Sequence, residues 1–410
     1  MKSNRRAFLK SVSAAGVVSV GATAPGFLDQ AAIAGGRVAS DSAGKILVLL
    51  QLAGGNDGLN TVVPIADPEY QQLRPGIAIG KGAALGLDDQ HALHPAMSGM
   101  KSLFDDGSLS ILQGVGYANP NRSHFRSMDI WNSARTGAAG GRSTQDGWLG
   151  RALDLQAEAL GDGQTPALAI GTERLPLALV AARTTVPMIR DLNEFKRRLG
   201  KLDRKALDQH LAAKAPAGSE LEFLRGTANN AYATAQKLES FSATYKHASD
   251  YPDNPLGHKL QTVAQLITAE FGTRIFFVSL GGFDTHSQQA GSHQSLLAEL
   301  SGAVTAFQKD LSAHQLSDRV LLATYSEFGR RAKENGSLGT DHGTASQMFI
   351  AHADGKGIVG EHPSLTDLDD EGDLKHHTDF RRVYATLLER WLGFPSEEVL
   401  GEKFQPLDLV

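Results

Sequence analysis

The 410-residue chain is 41% hydrophobic and 21% charged, an ordinary globular composition at a length that suits one large α/β domain or two smaller ones. Its formal charge of −5, with histidine neutral, gives no basic face of the kind that tracks a nucleic-acid backbone, so nucleic acid is not expected as a partner. With 14 histidines and no cysteine, disulfides, iron–sulfur clusters and thiolate metal sites are excluded, and any metal must be held by imidazole and carboxylate, with a hydroxyl in support.

The first segment reads as an address. "SNRRAFLK" carries two consecutive arginines, then Phe-Leu and Lys. The small-residue apolar stretch "SVSAAGVVSVGATA" follows, and Ala32-Ile33-Ala34 offers an A-x-A cleavage site. Residues 1–34 are therefore expected to be a twin-arginine signal peptide, the bland alternative being a short amphipathic or membrane anchor. Lys2, Arg5, Arg6 and Lys10 against Asp29 give this segment +3, so the mature chain carries −8. The apolar part is too short and too rich in Gly and Ala for a stable span of about 20 residues. The expectation is a protein handled by the twin-arginine translocase, exported already folded, and periplasmic or secreted with no stable membrane span.

Residues 35–410 read as an α/β body. "KILVLLQLAGGNDG" is an unbroken apolar run ending in Gly-Gly, as in a strand buried on both faces. The same character recurs in "SLSILQGVG", "TPALAIG", "RIFFVSLGG", "DRVLLATYSE" and "SQMFIAHA". Helical patterns lie between them, among them "HPAMSGMKSLFDDG", "SHFRSMDIWNSAR", "SLLAELSGAVTAFQKDLSA" and "TDFRRVYATLLERWLG". This alternation predicts a doubly wound, mostly parallel sheet, whose ligands gather at the carboxyl ends of the strands. Residues 189–248 are charged and helix-forming with no intervening strand, and are expected to form a helical insertion.

The polar residues at the predicted strand ends carry the functional signal. The first strand runs into "GGNDGLNT" and Asp57. "RIFFVSLGG" runs into "FDTHSQQAGSH", with Asp284, His286 and His293. "RVLLATY" runs into "SEFGRR" and Glu327, and the Gly-rich loop "GTDHGTAS" holds Asp341 and His342. Each alone has a plain structural reading: Asp57 as a turn residue, Glu327 as half of a surface ion pair, Asp-His-Gly as a turn. Together they place Asp, Glu and His, the ligands of zinc and similar divalent ions, at what the fold makes one sheet edge.

"NPNRSHFRSMDIWNSAR" supplies a hydroxyl. Ser123 falls at a helix start, where the dipole and free N–H groups suit an anionic ester, and where serine equally serves as a plain N-cap. Thr61 is a second hydroxyl. Arg122 and Arg126 flank Ser123 and read either as a phosphate or sulfate clamp or as solvated helix charges. His94 and His124 read as pocket-lining candidates, and His376 and His377 as loop residues before a closing helix.

The segments "LVLLQLAGGNDGLNTVVP", "NRSHFRSMDIWNSA", "GGFDTHSQQ", "TYSEFGRR", "GTDHGTAS" and "TDFRRVYATLLERWLG", with the twin-arginine leader, resemble the bacterial domain of unknown function 1501 family over nearly all of residues 45 to 395. That family in turn resembles the alkaline phosphatase and sulfatase superfamily, metal-dependent hydrolases of phosphate and sulfate esters. The resemblance implies Asp57 as a first-strand ligand, Ser123 as nucleophile, Asp284 with His286 or His293 as ligands of one metal, and His342 as the last ligand. "SEFG" stands where the superfamily carries Asp-His-Gly, with Glu327 in the Asp position and Phe328 in place of His; alternatively "DHG" is itself that element. The expectation is an exported hydrolase of small anionic esters with one or two divalent ions, zinc first, then manganese, calcium or magnesium. Its rival is a non-catalytic binding or assembly protein on the same fold. Esterase chemistry from a Ser-His-Asp triad is weaker, because no G-x-S-x-G elbow is present.

Overall fold

The structure, a computed structural model, describes residues 18–20, 44–137, 145–156, 165–190 and 245–410. Nearly all of the expected signal peptide and most of the expected helical insertion lie outside these residues. The elements that matter below, in chain order, are β1 (Val18–Val20), β2 (Ile46–Ala53), α1 (Ser98–Asp105), β3 (Leu109–Gly116), α2 (His124–Ser133), α3 (Trp148–Leu155), β4 (Ala167–Ile170), β5 (Pro187–Ile189), β6 (Ile275–Gly281), α4 (Gln289–Ala313), β7 (Val320–Tyr325), β8 (Ser346–Ala351), β9 (Gly357–Val359), β10 (Thr378–Asp379) and α5 (Phe380–Thr386). The class is α/β, with a mixed, mostly parallel sheet and flanking helices.

The chain divides into two compact units. The smaller comprises residues 1–42, 145–246 and 265–277. In it β4 and β5 pair in parallel, β1 pairs antiparallel with β5, and α3 packs on the turn Leu177–Leu179. The larger unit comprises residues 43–144, 247–264 and 278–410 and holds all of the residues singled out above as candidate site residues.

In the larger unit β2 pairs in parallel with β7 from Val320↔Ile46 to Tyr325↔Gln51. Leu47–Leu50 and Val320–Ala323 are wholly buried, as their unbroken apolar runs require of a strand covered on both faces. β8 runs antiparallel to both β7 and β3, and β9 and β10 pair in parallel with β3. The reversal at β8 has a local cause. A parallel neighbour needs a crossover of a dozen residues or more, usually a helix. Residues 326–345 contain no helix, so the chain turns back beside β7. That returning loop carries both Glu327 and His342. The long helix α4 packs against α1, and Met100 N–H donates to Ser301 Oγ at 3.0 Å. Trp131 of α2 stacks on Phe380 of α5, with ring centroids 4.4 Å apart. Each of these contacts fixes an element that delivers a polar residue to the end of β2. Among the described residues, no helix is long and apolar enough to cross a membrane.

Candidate functional site

The apolar run of β2 ends at Gly54, where φ is +119°. A Cβ built there would stand 2.5 Å from the backbone nitrogen of Asp284, so only glycine lets the two strand ends meet this closely. The Gly54 N–H donates to Glu327 Oε1 at 2.8 Å, and Phe283 N–H donates to Ala53 O at 3.2 Å. Arg330, buried to 1% exposure, ties three segments together. Its guanidinium donates to the carbonyls of Gly54, Gly55, Phe283 and Thr340 and to Asp284 Oδ1 at 2.7 Å. A guanidinium whose fixed fork is filled this way is a rigid strut.

Three imidazoles surround Asp284, and each is held from behind. His124, the first residue of α2, has Nδ1 2.9 Å from Glu327 Oε1 and Nε2 3.5 Å from Asp284 Oδ2. His286 has Nδ1 3.2 Å from Asp341 Oδ1 and Nε2 2.9 Å from Asp284 Oδ1. His342 has Nδ1 2.7 Å from the Arg122 carbonyl and Nε2 3.1 Å from Asp284 Oδ1. An acceptor behind Nδ1 holds a proton there, so that a cation at the centre would meet the Nε2 lone pair, the arrangement found behind metal-bound histidines. The Nε2 atoms of His286 and His342 are themselves 2.9 Å apart.

The protonation states fit a cation. Burial pulls the Asp284 carboxyl up, but the Arg330 and His342 hydrogen bonds and the charges of Arg330 and His286 hold it at about 2. Burial pulls His342 below its ordinary range, against the hydrogen bonds to Asp284 and Arg122. An ionised carboxylate and a neutral imidazole are the forms that bind metal.

His124, Asp284 and His342 each offer a ligand atom, all within 4.8 Å of one another, and among the described residues theirs is the one such group of three or more. A tetrahedral zinc ion with bonds of about 2.0–2.1 Å separates its ligand atoms by about 3.3 Å, so the donor set fits and a bound ion would draw the three groups slightly inward. Phe328 packs behind them. Its ring centroid is 4.8 Å from that of His124 and 4.7 Å from that of His342, and at 2% exposure it is a wall rather than a donor. The cluster opens to solvent on the other side, with the Asp284 side chain 48% exposed and His286 44%.

The structure thus gathers Asp284, His286, Asp341 and His342, with Glu327 reached through His124. Asp341 and Glu327 stand behind imidazoles instead of at the centre. Asp57 and His293 lie in a separate buried network. Asp57 Oδ2 accepts from Arg74 Nη1 at 2.6 Å and from Gln289 Nε2, and His293 Nε2 is 3.0 Å from Asn56 Oδ1. Thr61 is buried with them and donates to the Asp57 carbonyl at 2.7 Å, while His94 stands edge-on to His293. Ser123 is exposed at the N-cap of α2, directly before His124, and its side chain makes no capping hydrogen bond.

The flanking arginines are engaged elsewhere. Arg122 faces Glu371 at 3.3 Å and Asp373 at 3.2 Å, and Arg126 donates to the Gly137 carbonyl at 2.9 Å. His377 bonds the Glu361 carbonyl, away from the cluster. Sequence reasoning gave His124 only a lining role and did not single out Arg74, Gln289 or the strut role of Arg330. The one available signal for His124 was its place at a helix start beside the candidate hydroxyl.

A family described as "Protein of unknown function (DUF1501)" matches residues 44–401. No curated protein matches the chain. Among solved structures, the lipoteichoic acid synthase LtaP from Listeria monocytogenes is 10% identical, with 96% of this chain and 81% of that one covered and a TM-score of 0.39. The C-terminal periplasmic domain of EcEptC from Escherichia coli, in complex with Zn, is 8% identical over 87% of this chain and 84% of its own, with a TM-score of 0.40. A protein of the alkaline phosphatase superfamily from Vibrio parahaemolyticus is 9% identical over 98% and 78%, with a TM-score of 0.36. Likenesses this slight carry no argument.

Proposed function

We propose that this chain, which belongs to the DUF1501 family of proteins of unknown function, is an exported, metal-dependent hydrolase of small phosphate or sulfate esters. One observation carries the reading. Three histidines from distant segments present Nε2 to a single ionised carboxylate, and each has an oxygen acceptor behind its Nδ1. His124, Asp284 and His342 would hold the ion, zinc first among the candidates, with His286 beside them. A bound divalent ion supplies Lewis-acid stabilisation of charge on an ester oxygen and lowers the pKa of a nearby hydroxyl.

The chain's own groups do the rest. Glu327, Asp341 and the Arg122 carbonyl hold the imidazoles in the binding tautomer. Arg330 keeps Asp284 ionised and fixed. The Ser123 hydroxyl, exposed and uncommitted at the helix start next to His124, is the candidate nucleophile. Three protein ligands leave a coordination position open, as hydrolytic zinc sites do.

A second reading rests on His286. If its Nε2 joins the other three, four protein ligands close the shell, the form of a structural site in a binding or assembly protein. The test is elemental analysis of protein purified without added metal, followed by turnover of 4-nitrophenyl phosphate and 4-nitrophenyl sulfate. Stoichiometric metal, with hydrolysis lost on chelation and in Ser123→Ala, supports the enzyme. Stoichiometric metal without turnover supports the structural site, and protein that takes up no divalent ion sinks both readings. Export is tested separately: replacing Arg5 and Arg6 by lysine should leave the protein in the cytoplasm.

A further inference from the structure

We infer that the protein holds a single divalent ion per chain, and that the Arg74 guanidinium fills, beside Asp57, the charge role a second ion would have. The inference deepens the reading above and rests on its metal site. A carboxylate directly after β2 and a histidine in the first turns of α4 look from the sequence like ligands, but the structure commits both elsewhere.

Asp57 and Arg74 are each fully buried, with side chains at 0% exposure and Nη1 2.6 Å from Oδ2. Every nitrogen of Arg74 has a partner. Nη1 reaches Asn60 Oδ1 at 2.7 Å, Nε the Ala332 carbonyl at 3.0 Å and Nη2 the Arg331 carbonyl at 2.8 Å. The guanidinium therefore cannot swing away to admit an ion without abandoning two backbone carbonyls. Gln289 Nε2 donates to the same Asp57 oxygen, and its own Oε1 accepts from Thr285 at 3.1 Å and Thr340 at 2.7 Å, so it too is locked. His293 spends Nε2 on Asn56 Oδ1, and burial holds it neutral.

The network is thus closed in charge: one carboxylate, one guanidinium and one neutral imidazole. A divalent ion brought to Asp57 would face a fixed positive charge with one carboxylate to offset it, in a region that water does not screen. Asp57 Oδ1 has no hydrogen-bond partner. It is a single oxygen, though, and among the described residues no group of three ligand atoms converges there. One free oxygen next to a guanidinium suits a water molecule, not a cation.

The experiment is metal counting on the full chain. Wild-type protein is loaded with excess zinc, desalted and measured by elemental analysis, and its affinity is taken from competition with a chromophoric chelator. One ion per chain is the expected result, with affinity lowered by about 100-fold or more in His342→Ala and changed less than about threefold in Asp57→Asn and in His293→Gln. Two ions in the wild type overturn the inference and leave the metal site standing. So does the loss of an ion in Asp57→Asn or His293→Gln. No ion in the wild type overturns the inference and the metal site together. Should Asp57→Asn fail to fold, because it strands a buried guanidinium, the wild-type count and His293→Gln decide the matter.

Discussion

The Nδ1 of His124 lies 2.9 Å from Oε1 of Glu327, across 203 positions of chain, and the same Oε1 receives the Gly54 N–H at 2.8 Å. One buried carboxylate thus fixes both the helix that carries His124 and the end of the first strand. Glu327→Gln keeps the shape and removes the charge that favours the Nδ1–H tautomer. Zinc affinity should fall by about 10- to 100-fold, as for other residues that orient a ligating imidazole. Chelator competition measures it, and wild-type affinity in Glu327→Gln would show that Glu327 orients nothing.

Gly54→Ala attacks the same junction from the backbone. At φ +119° an L-residue is strained, and its Cβ would sit 2.5 Å from the Asp284 nitrogen, a backbone atom that cannot swivel aside. Asp284 must then shift relative to the three imidazoles. The expected cost is about 2 kcal/mol or more in urea unfolding, together with weakened metal binding. An alanine variant matching wild type in both would remove the close approach from the argument.

Two histidines away from the Asp284 cluster, His293 buried and His362 partly so, set a pH dependence. Burial pushes His293 down to about 4, with Asp57 opposing and His94, Arg74 and Arg330 adding to it. Burial likewise pushes His362 to about 4, its hydrogen bond to the Pro363 carbonyl opposing. The unfolded chain takes up these protons near pH 6.5 while the folded chain refuses them until about 4. Their contribution is therefore complete above pH 6.5 and is lost as the pH falls from 6.5 through 4, by at most about 3 kcal/mol for each group. Urea midpoints recorded with chelator present should drop between pH 7 and pH 4.5, and the drop should shrink in His362→Gln. An unchanged drop in that variant would assign the acid sensitivity to other groups.

Much of this was readable from residue order, and the limits have physical causes. The strands Ile46–Ala53, Leu109–Gly116 and Val320–Tyr325 announce themselves because strands covered on both faces are apolar at most positions, without the alternation of a half-exposed strand. The direction of Ser346–Ala351 does not, since hydrophobicity has no sense along the chain. Asp284, His286, Asp341 and His342 were legible because each follows a strand or sits in a Gly-rich return, and β-sheet geometry sends such ends to one edge. Asp57 shares that signature and yet pairs with Arg74. Nothing in "QQLRPG" distinguishes a buried arginine from a solvated one, because the difference lies in the Arg331 and Ala332 carbonyls hundreds of residues away. Glu327 was legible as important and not as an orienting residue, because that depends on a single contact to His124.

Ser123 separates a nucleophile from an ordinary cap. A serine that caps α2 would accept from a first-turn N–H, and losing that bond costs about 1 kcal/mol. Here the Ser123 side chain makes no such bond, and its own N–H is satisfied by Asn121 Oδ1 at 2.9 Å. Ser123→Ala should therefore leave unfolding free energy within about 0.5 kcal/mol of wild type, as for a surface substitution. Metal content should also be unchanged, because none of the holding contacts involves the hydroxyl. Ester turnover should nevertheless fall by at least about 10³-fold, the scale on which a removed nucleophile registers. A variant that loses stability and keeps turnover would return Ser123 to the role of a cap.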